Sequence, residues 1–160
     1  SGQQNTTLSS AQLNADGQLG GGSIIIGRDF QGNPLLGSSI IDANLPVLSN
    51  FASVPTSAIT IVDNASSINA NGLTNGNGGN VLIWGDGLGA YGEINVKGGP
   101  QSGSGGFVET SGHYVETTGL IVDAGSSFGL VGQWLLDPKK VDMVAVYRLF
   151  SKIIVEYLEK

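Results

Sequence analysis

The chain has 160 residues, enough for one domain that buries a core without covalent staples. Glycine accounts for 26 residues and proline for five, while 40% of the chain is hydrophobic and 12% charged, a balance that excludes both collagen and a disordered polyampholyte. The absence of cysteine excludes a disulfide framework, a thiolate zinc site and thiol catalysis, and the net charge of −6 argues against nucleic acid.

From Ser1 to Pro138 no helical period is sustained. Short apolar or alternating runs lie between Gly, Asn, Asp and Ser clusters, the pattern of strands with turn punctuation. In chain order these are Ser23–Gly27 (SIIIG), Ala58–Val62 (AITIV), Ser66–Ala70 (SSINA) and Asn80–Trp84 (NVLIW). Tyr91–Val96 (YGEINV), Gly106–Thr110 (GFVET), His113–Thr118 (HYVETT) and Leu120–Ala124 (LIVDA) follow. No window reaches the ~18 apolar residues of a membrane-spanning helix.

Three of these runs share one layout. GGSIIIG from Gly21, GGNVLIWG from Gly78 and GGFVETSG from Gly105 each open on Gly-Gly, run through a short strand and close on Gly. Gly78, Gly79, Gly105 and Gly106 therefore read as structural turns, with positive φ as the expected reason for glycine. The two intervals, 57 and 27 residues, suggest solenoid coils, the first interval about twice the second. The predicted fold is all-β, a parallel β-helix of five or six coils, with a β-sandwich as the competing architecture.

The order of four stretches carries a family resemblance. GGSIIIGRDFQGNP, INANGLTNGNGGNVLIWGDG, YGEINVKGGPQSGSGGFVETSGH and GQWLLDP, between about Gly20 and Pro138, resemble the filamentous-haemagglutinin-like exoproteins. These are the large adhesins and haemolysins that Gram-negative bacteria export by two-partner secretion. The resemblance implies a right-handed parallel β-helix outside the cell, secreted or held at the bacterial surface. It implies an outer-membrane two-partner secretion transporter as export partner, a host glycan or protein receptor, and a role in adhesion and virulence. It implies no catalytic site. The family's amino-terminal secretion module is not evident, since GNP at Gly32–Pro34 matches its Asn-Pro signals poorly. An internal or downstream β-helix segment of a larger exoprotein is expected.

After Pro138 the character changes. Residues 1–138 hold two bases against ten acids, whereas 139–160 hold five bases against three acids and no glycine. Arg148, Lys152, Glu156 and Glu159 form one polar stripe at helical spacing, with Val144, Tyr147, Phe150, Ile154, Tyr157 and Leu158 off it. The expected organisation is a β-helix over 1–138 and an amphipathic C-terminal α-helix over 139–160. That helix would cap the solenoid or join copies in a homo-oligomer.

Candidate chemistry is sparse. The glycine-rich stretch after Lys97 lacks the Gly-Lys-Ser/Thr of a phosphate loop, and Val108 stands where a dinucleotide fingerprint needs its third glycine. His113, the only histidine, reads as a turn residue rather than a base beside Ser111 and Glu109 or a metal ligand. The chain is expected not to be an enzyme and to need no cofactor or metal. A polysaccharide-cleaving β-helix is the alternative, with Asp86, Glu93, Glu109, Glu116 and Asp123 as candidate acids if two meet in one groove. Asn69, Asn71, Asn75, Asn77 and Asn80 read as rungs of hydrogen-bonded ladders between coils. A glycan-binding module is the other alternative, with Trp84 and Tyr91 as its ligand-binding residues and Trp134 in the core.

Overall fold

The computed structural model describes residues 4–27 and 56–139. They form twelve short strands and three parallel sheets. The first coil holds β1 (Gln4–Leu8), β2 (Gln12–Asn14) and β3 (Ser23–Ile26); the second holds β4 (Ser57–Val62), β5 (Ser67–Asn69) and β6 (Asn80–Trp84). The third holds β7 (Gly87–Ala90), β8 (Glu93–Asn95) and β9 (Phe107–Gly112); the fourth holds β10 (Tyr114–Glu116), β11 (Ile121–Asp123) and β12 (Gln133–Pro138). Each sheet takes one strand from every coil, in the orders β1-β4-β7-β10, β2-β5-β8-β11 and β3-β6-β9-β12. The result is all-β and solenoid-like, with three faces, and the sandwich reading falls because every pairing is parallel. The stretch expected to form the C-terminal helix and the GNP at 32–34 lie outside the described residues.

The Gly-Gly repeat is the spine of one face. Ser23 pairs with Asn80, and Asn80 with Phe107, so the three repeat units are successive strands of one sheet. The 57-residue interval is thus one coil carrying extra residues, not two coils. The described residues accordingly make four coils rather than five or six.

Strand alternation sends one side chain of each pair inward, and the coils stack like on like. Leu13, Ile68, Ile94 and Val122 form one column. Ile24, Val81, Val108 and Trp134 form a second; Ile26, Ile83, Thr110 and Leu136 form a third. Ile68, Ile83, Ile94, Val81 and Val108 are fully buried in the core. Burying each such side chain stabilises the stack by about 1.5–3 kcal/mol. The two fully buried threonines keep their hydroxyls bonded. Thr60 Oγ1 donates to the Trp84 carbonyl at 2.7 Å, and Thr110 Oγ1 accepts the Trp134 indole N–H at 3.0 Å.

The Gly-Gly pairs lead into β6 and β9, but none of the four has a positive φ. Their reason is close approach. A Cβ on Gly78 would lie 1.9 Å from the Val96 carbonyl oxygen, and one on Gly105 would lie 1.9 Å from that of Ala124. A Cβ on Gly79 or Gly106 would lie 1.9 or 2.0 Å from a carbonyl of the preceding coil. Positive φ is needed at other corners, such as Gly76 (97°) and Gly103 (120°).

Candidate functional site

The face built by β1, β4, β7 and β10 has an unusual centre. Its outward positions run Asn5, Ile59, Gly87 and Tyr114 along one row, and Thr7, Ile61, Gly89 and Glu116 along the next. β7 thus contributes no side chain to the outer surface between two coils that do. Neither glycine has a positive φ. A Cβ on Gly87 would meet nothing nearer than Ile59 Cγ1 at 4.0 Å, so neither backbone conformation nor crowding demands glycine there. Over Gly89 the space is taken by Tyr91, whose hydroxyl would lie 2.9 Å from an added Cβ. The consequence is a shallow trough. Its floor is backbone at Gly87, its long walls are Ile59 and Tyr114, and Tyr91 closes one end. Glycine in a strand interior often marks a place where a ligand approaches the backbone.

The trough's other end is polar. Asp86 precedes β7 and His113 precedes β10, so the two occupy equivalent corners of adjacent coils. The carboxylate of Asp86 bonds His113 Nδ1, and both side chains are half-exposed. At the Tyr91 end, in the row of Gly89, Glu116 is exposed in β10, and its carboxyl is held below the usual carboxylate range by Thr118, through hydroxyl and backbone N–H. Flat tyrosine rings beside carboxylates and an imidazole suit a ligand with both C–H faces and hydroxyls.

The residues expected from the sequence separate here. Tyr91 lies at the trough, but Trp84 is on the outer side of β6, in a different sheet, and is buried. Trp134 faces inward in register with Val108 and is 43% exposed. Tyr114 was not a candidate from the sequence. The 27-residue period is the signal that finds it, since Gly87 plus one period is Tyr114.

The asparagines bind the coils to each other. Asn95 Nδ2 donates to Asn69 Oδ1 at 3.0 Å, the one Asn–Asn rung of the group. Asn71 Oδ1 accepts the Lys97 backbone N–H at 2.9 Å, and Asn77 Oδ1 accepts that of Ser104 at 2.9 Å. Asn75 Oδ1 accepts the Ser102 hydroxyl at 3.2 Å, and Asn80 Nδ2 donates to the Ser23 hydroxyl at 3.3 Å. All five therefore bridge neighbouring coils, mostly by side chain to backbone or hydroxyl.

The remaining acids are dispersed. Glu93 and Asp123 are on the outer side of the β2-β5-β8-β11 sheet, where Asp123 pairs with Lys97 at 3.1 Å. Its carboxyl is held low by the Gly125 N–H and then by Lys97. Glu109 is buried on β9, accepting the Ser111 hydroxyl at 2.7 Å, so these two residues pair with each other and not with His113. Among the described residues no three His, Cys, Asp or Glu side chains converge as a metal site. Comparison with protein-family models, with curated proteins and with solved structures returned no match.

Proposed function

We propose that the chain is a non-catalytic structural and adhesive segment of a large exoprotein on a Gram-negative cell surface. In this reading it is a right-handed parallel β-helix ending in an amphipathic α-helix over 139–160, and it acts as a stiff shaft. The observation that supports it most is the stacking of three Gly-Gly units in register on one sheet. Those units are the same ones that carry the resemblance to filamentous-haemagglutinin-like exoproteins. A load-carrying shaft also suits ladders on every face, cross-coil asparagines and close-packed corners. Antibodies raised against the chain should label intact, unpermeabilised cells that produce it, and shed protein in their medium. Labelling that requires permeabilisation would sink this reading.

A second reading is favoured by the trough. Tyr114, Ile59 and Tyr91 around the bare backbone of Gly87 suit the C–H face of a sugar, with Asp86, His113 and Glu116 for its hydroxyls. The proposed ligand is a glycan of a host or neighbouring cell. Titration with neutral oligosaccharides should show binding that Tyr114→Ala removes without lowering the melting temperature. Equal binding by that variant would move the ligand elsewhere. Polysaccharide cleavage is less well supported than either. Asp86 is paired to His113 and Asp123 to Lys97, and the carboxyls of Asp63, Glu116 and Asp123 are shifted down, whereas a general acid needs the opposite shift.

A further inference from the structure

The trough over Gly87 has dimensions that restrict what enters it. Neighbouring coils lie about 4.8 Å apart, so the strands bearing Ile59 and Tyr114 stand about 9.6 Å from each other across β7. Side chains on a strand rise roughly perpendicular to the sheet. Carbon surfaces take up about 1.9 Å on each wall, which leaves a slot about 6 Å wide. Nothing fills its floor, since an added Cβ at Gly87 would meet only Ile59 Cγ1, at 4.0 Å.

Both ends are closed. At one, the Tyr91 hydroxyl lies over Gly89, 2.9 Å from where a Cβ would stand, and Gly89 is buried beneath it. At the other, the Asp86 carboxylate is joined to His113 Nδ1 across the corner. From Asp86 to Gly89 the chain advances about 10 Å, and contact with the two end groups leaves about 6 Å open. The floor therefore takes one hexose ring between Ile59 and Tyr114. A second linked ring would run into Tyr91 or into the Asp86–His113 pair.

Charge narrows the choice further. Asp86 and Glu116 offer carboxylate oxygens to sugar hydroxyls, and such charge-assisted bonds are stronger than neutral ones. Among the described residues no lysine or arginine forms the walls, floor or ends. Lys97 pairs with Asp123 on the β2-β5-β8-β11 sheet, and Lys139 follows β12. An acidic sugar would meet two carboxylates and no basic partner.

Building on the glycan reading of this face, we propose that the trough is a one-ring site. It takes the non-reducing terminal hexose of a neutral glycan and excludes internal rings and chains ended by an acidic sugar. The single linkage of a terminal ring leaves over the open top of the trough, whereas an internal ring has a second linkage that the closed ends obstruct. Cell-surface glycans are held through their reducing ends, so the opposite end is the one presented.

Saturation-transfer NMR on the full chain tests this. The probes are neutral linear oligosaccharides of glucose, galactose, mannose and their N-acetylhexosamine counterparts, each offered also with an acidic sugar on its non-reducing end. For the sugars that bind, transfer should fall on the C–H groups of the last ring, and a disaccharide and its longer homologue should bind equally. The acidic cap should weaken binding by about tenfold or more, because its carboxylate would face Asp86 or Glu116. Tyr91→Ala opens one end, so affinity should then rise with chain length. Tyr91→Phe keeps the ring over Gly89 and should behave as the parent. Transfer spread evenly along the chain, unchanged binding after capping, or a normally melting Tyr91→Ala that still ignores chain length overturns the one-ring site while the glycan reading stands. No binding by any of these sugars, or binding that Gly87→Leu leaves intact, sinks the glycan reading of the trough and this proposal with it.

Discussion

Two glycine-rich regions of this chain have opposite physical reasons. At the Gly-Gly corners before β6 and β9 a single methyl would lie 1.9–2.0 Å from a carbonyl oxygen, far inside van der Waals contact distance. At Gly87, in the middle of β7, the same methyl would meet nothing closer than 4.0 Å. The corners are glycine because two coils share the space. The strand is glycine although the fold leaves room for a side chain, which is why its surface is read as a place for something else. Glycine content alone does not distinguish a scaffold from a site; the position of the neighbouring coil does.

The comparison is broken most strongly at the corners. Gly106→Ala should destabilise by on the order of 4 kcal/mol or more, the range reached when overpacking meets backbone that cannot retreat. Urea denaturation would read this directly, and a loss below 1 kcal/mol would show that the corner flexes. Gly105→Ala should behave alike, since both the Ala124 carbonyl and the Gly132 nitrogen lie in its way. In the core between the two regions, Ile94→Ala should cost about 3 kcal/mol, from lost burial and the cavity left in its column. A much smaller cost would mean that the columns collapse to fill gaps.

Much of the stack was legible from the residues. The eight runs read as strands all overlap strands of the fold, because each has β-branched residues between turn formers. The strands that escaped are β1, β2, β7 and β12. QNTTL and QLN are short and polar, and GLGA has almost no strand propensity; each is held by the ladder of its neighbours rather than by its own sequence. Five or six coils are expected where the described residues make four, because a 57-residue interval is equally consistent with two coils or one enlarged coil, and only register separates them. The trough was half legible. Tyr91 stands out as an aromatic beside glycines, but Tyr114 joins it only through the stacking of β7 on β10. Trp84 misled because an aromatic in a strand looks the same from sequence whether its face is covered or open.

Smaller effects sharpen the scaffold side. Asn71 accepts the Lys97 N–H and donates to Asp16 Oδ1, each at 2.9 Å, so Asn71→Ala should cost about 1 kcal/mol through the two lost cross-coil bonds. At the trough the sign reverses. Gly87→Ala should raise stability by about 0.5 kcal/mol, because alanine restricts the unfolded chain and fits the open space. If the trough binds a sugar, Gly87→Leu should abolish binding while leaving the melting temperature at or above that of the parent. Lowered melting in Gly87→Ala would place this glycine with the corners and remove the argument for a site.

The smallest expected effect is a dependence on acid. Asp63 ties the first two coils at one corner. Its carboxylate accepts the Ser66 hydroxyl at 2.6 Å, the backbone N–H of Ser10 at 2.9 Å and the Ser9 hydroxyl at 3.1 Å. Ser66 first, with the Ser10 and Ser9 bonds behind it, holds its carboxyl below the usual range. A carboxyl lowered on folding adds stability above its unfolded value, near 3.9 for aspartate, and loses it as pH falls through the lower folded value. Asp123 and Glu116 shift in the same direction. Stability should therefore be level at neutral pH and decline below about pH 4. Asp63→Asn should shrink that decline, because the amide cannot lose a charge. An unchanged pH profile in Asp63→Asn would assign the acid sensitivity to Asp123 and Glu116, in the fourth coil, rather than to the tie between the first two.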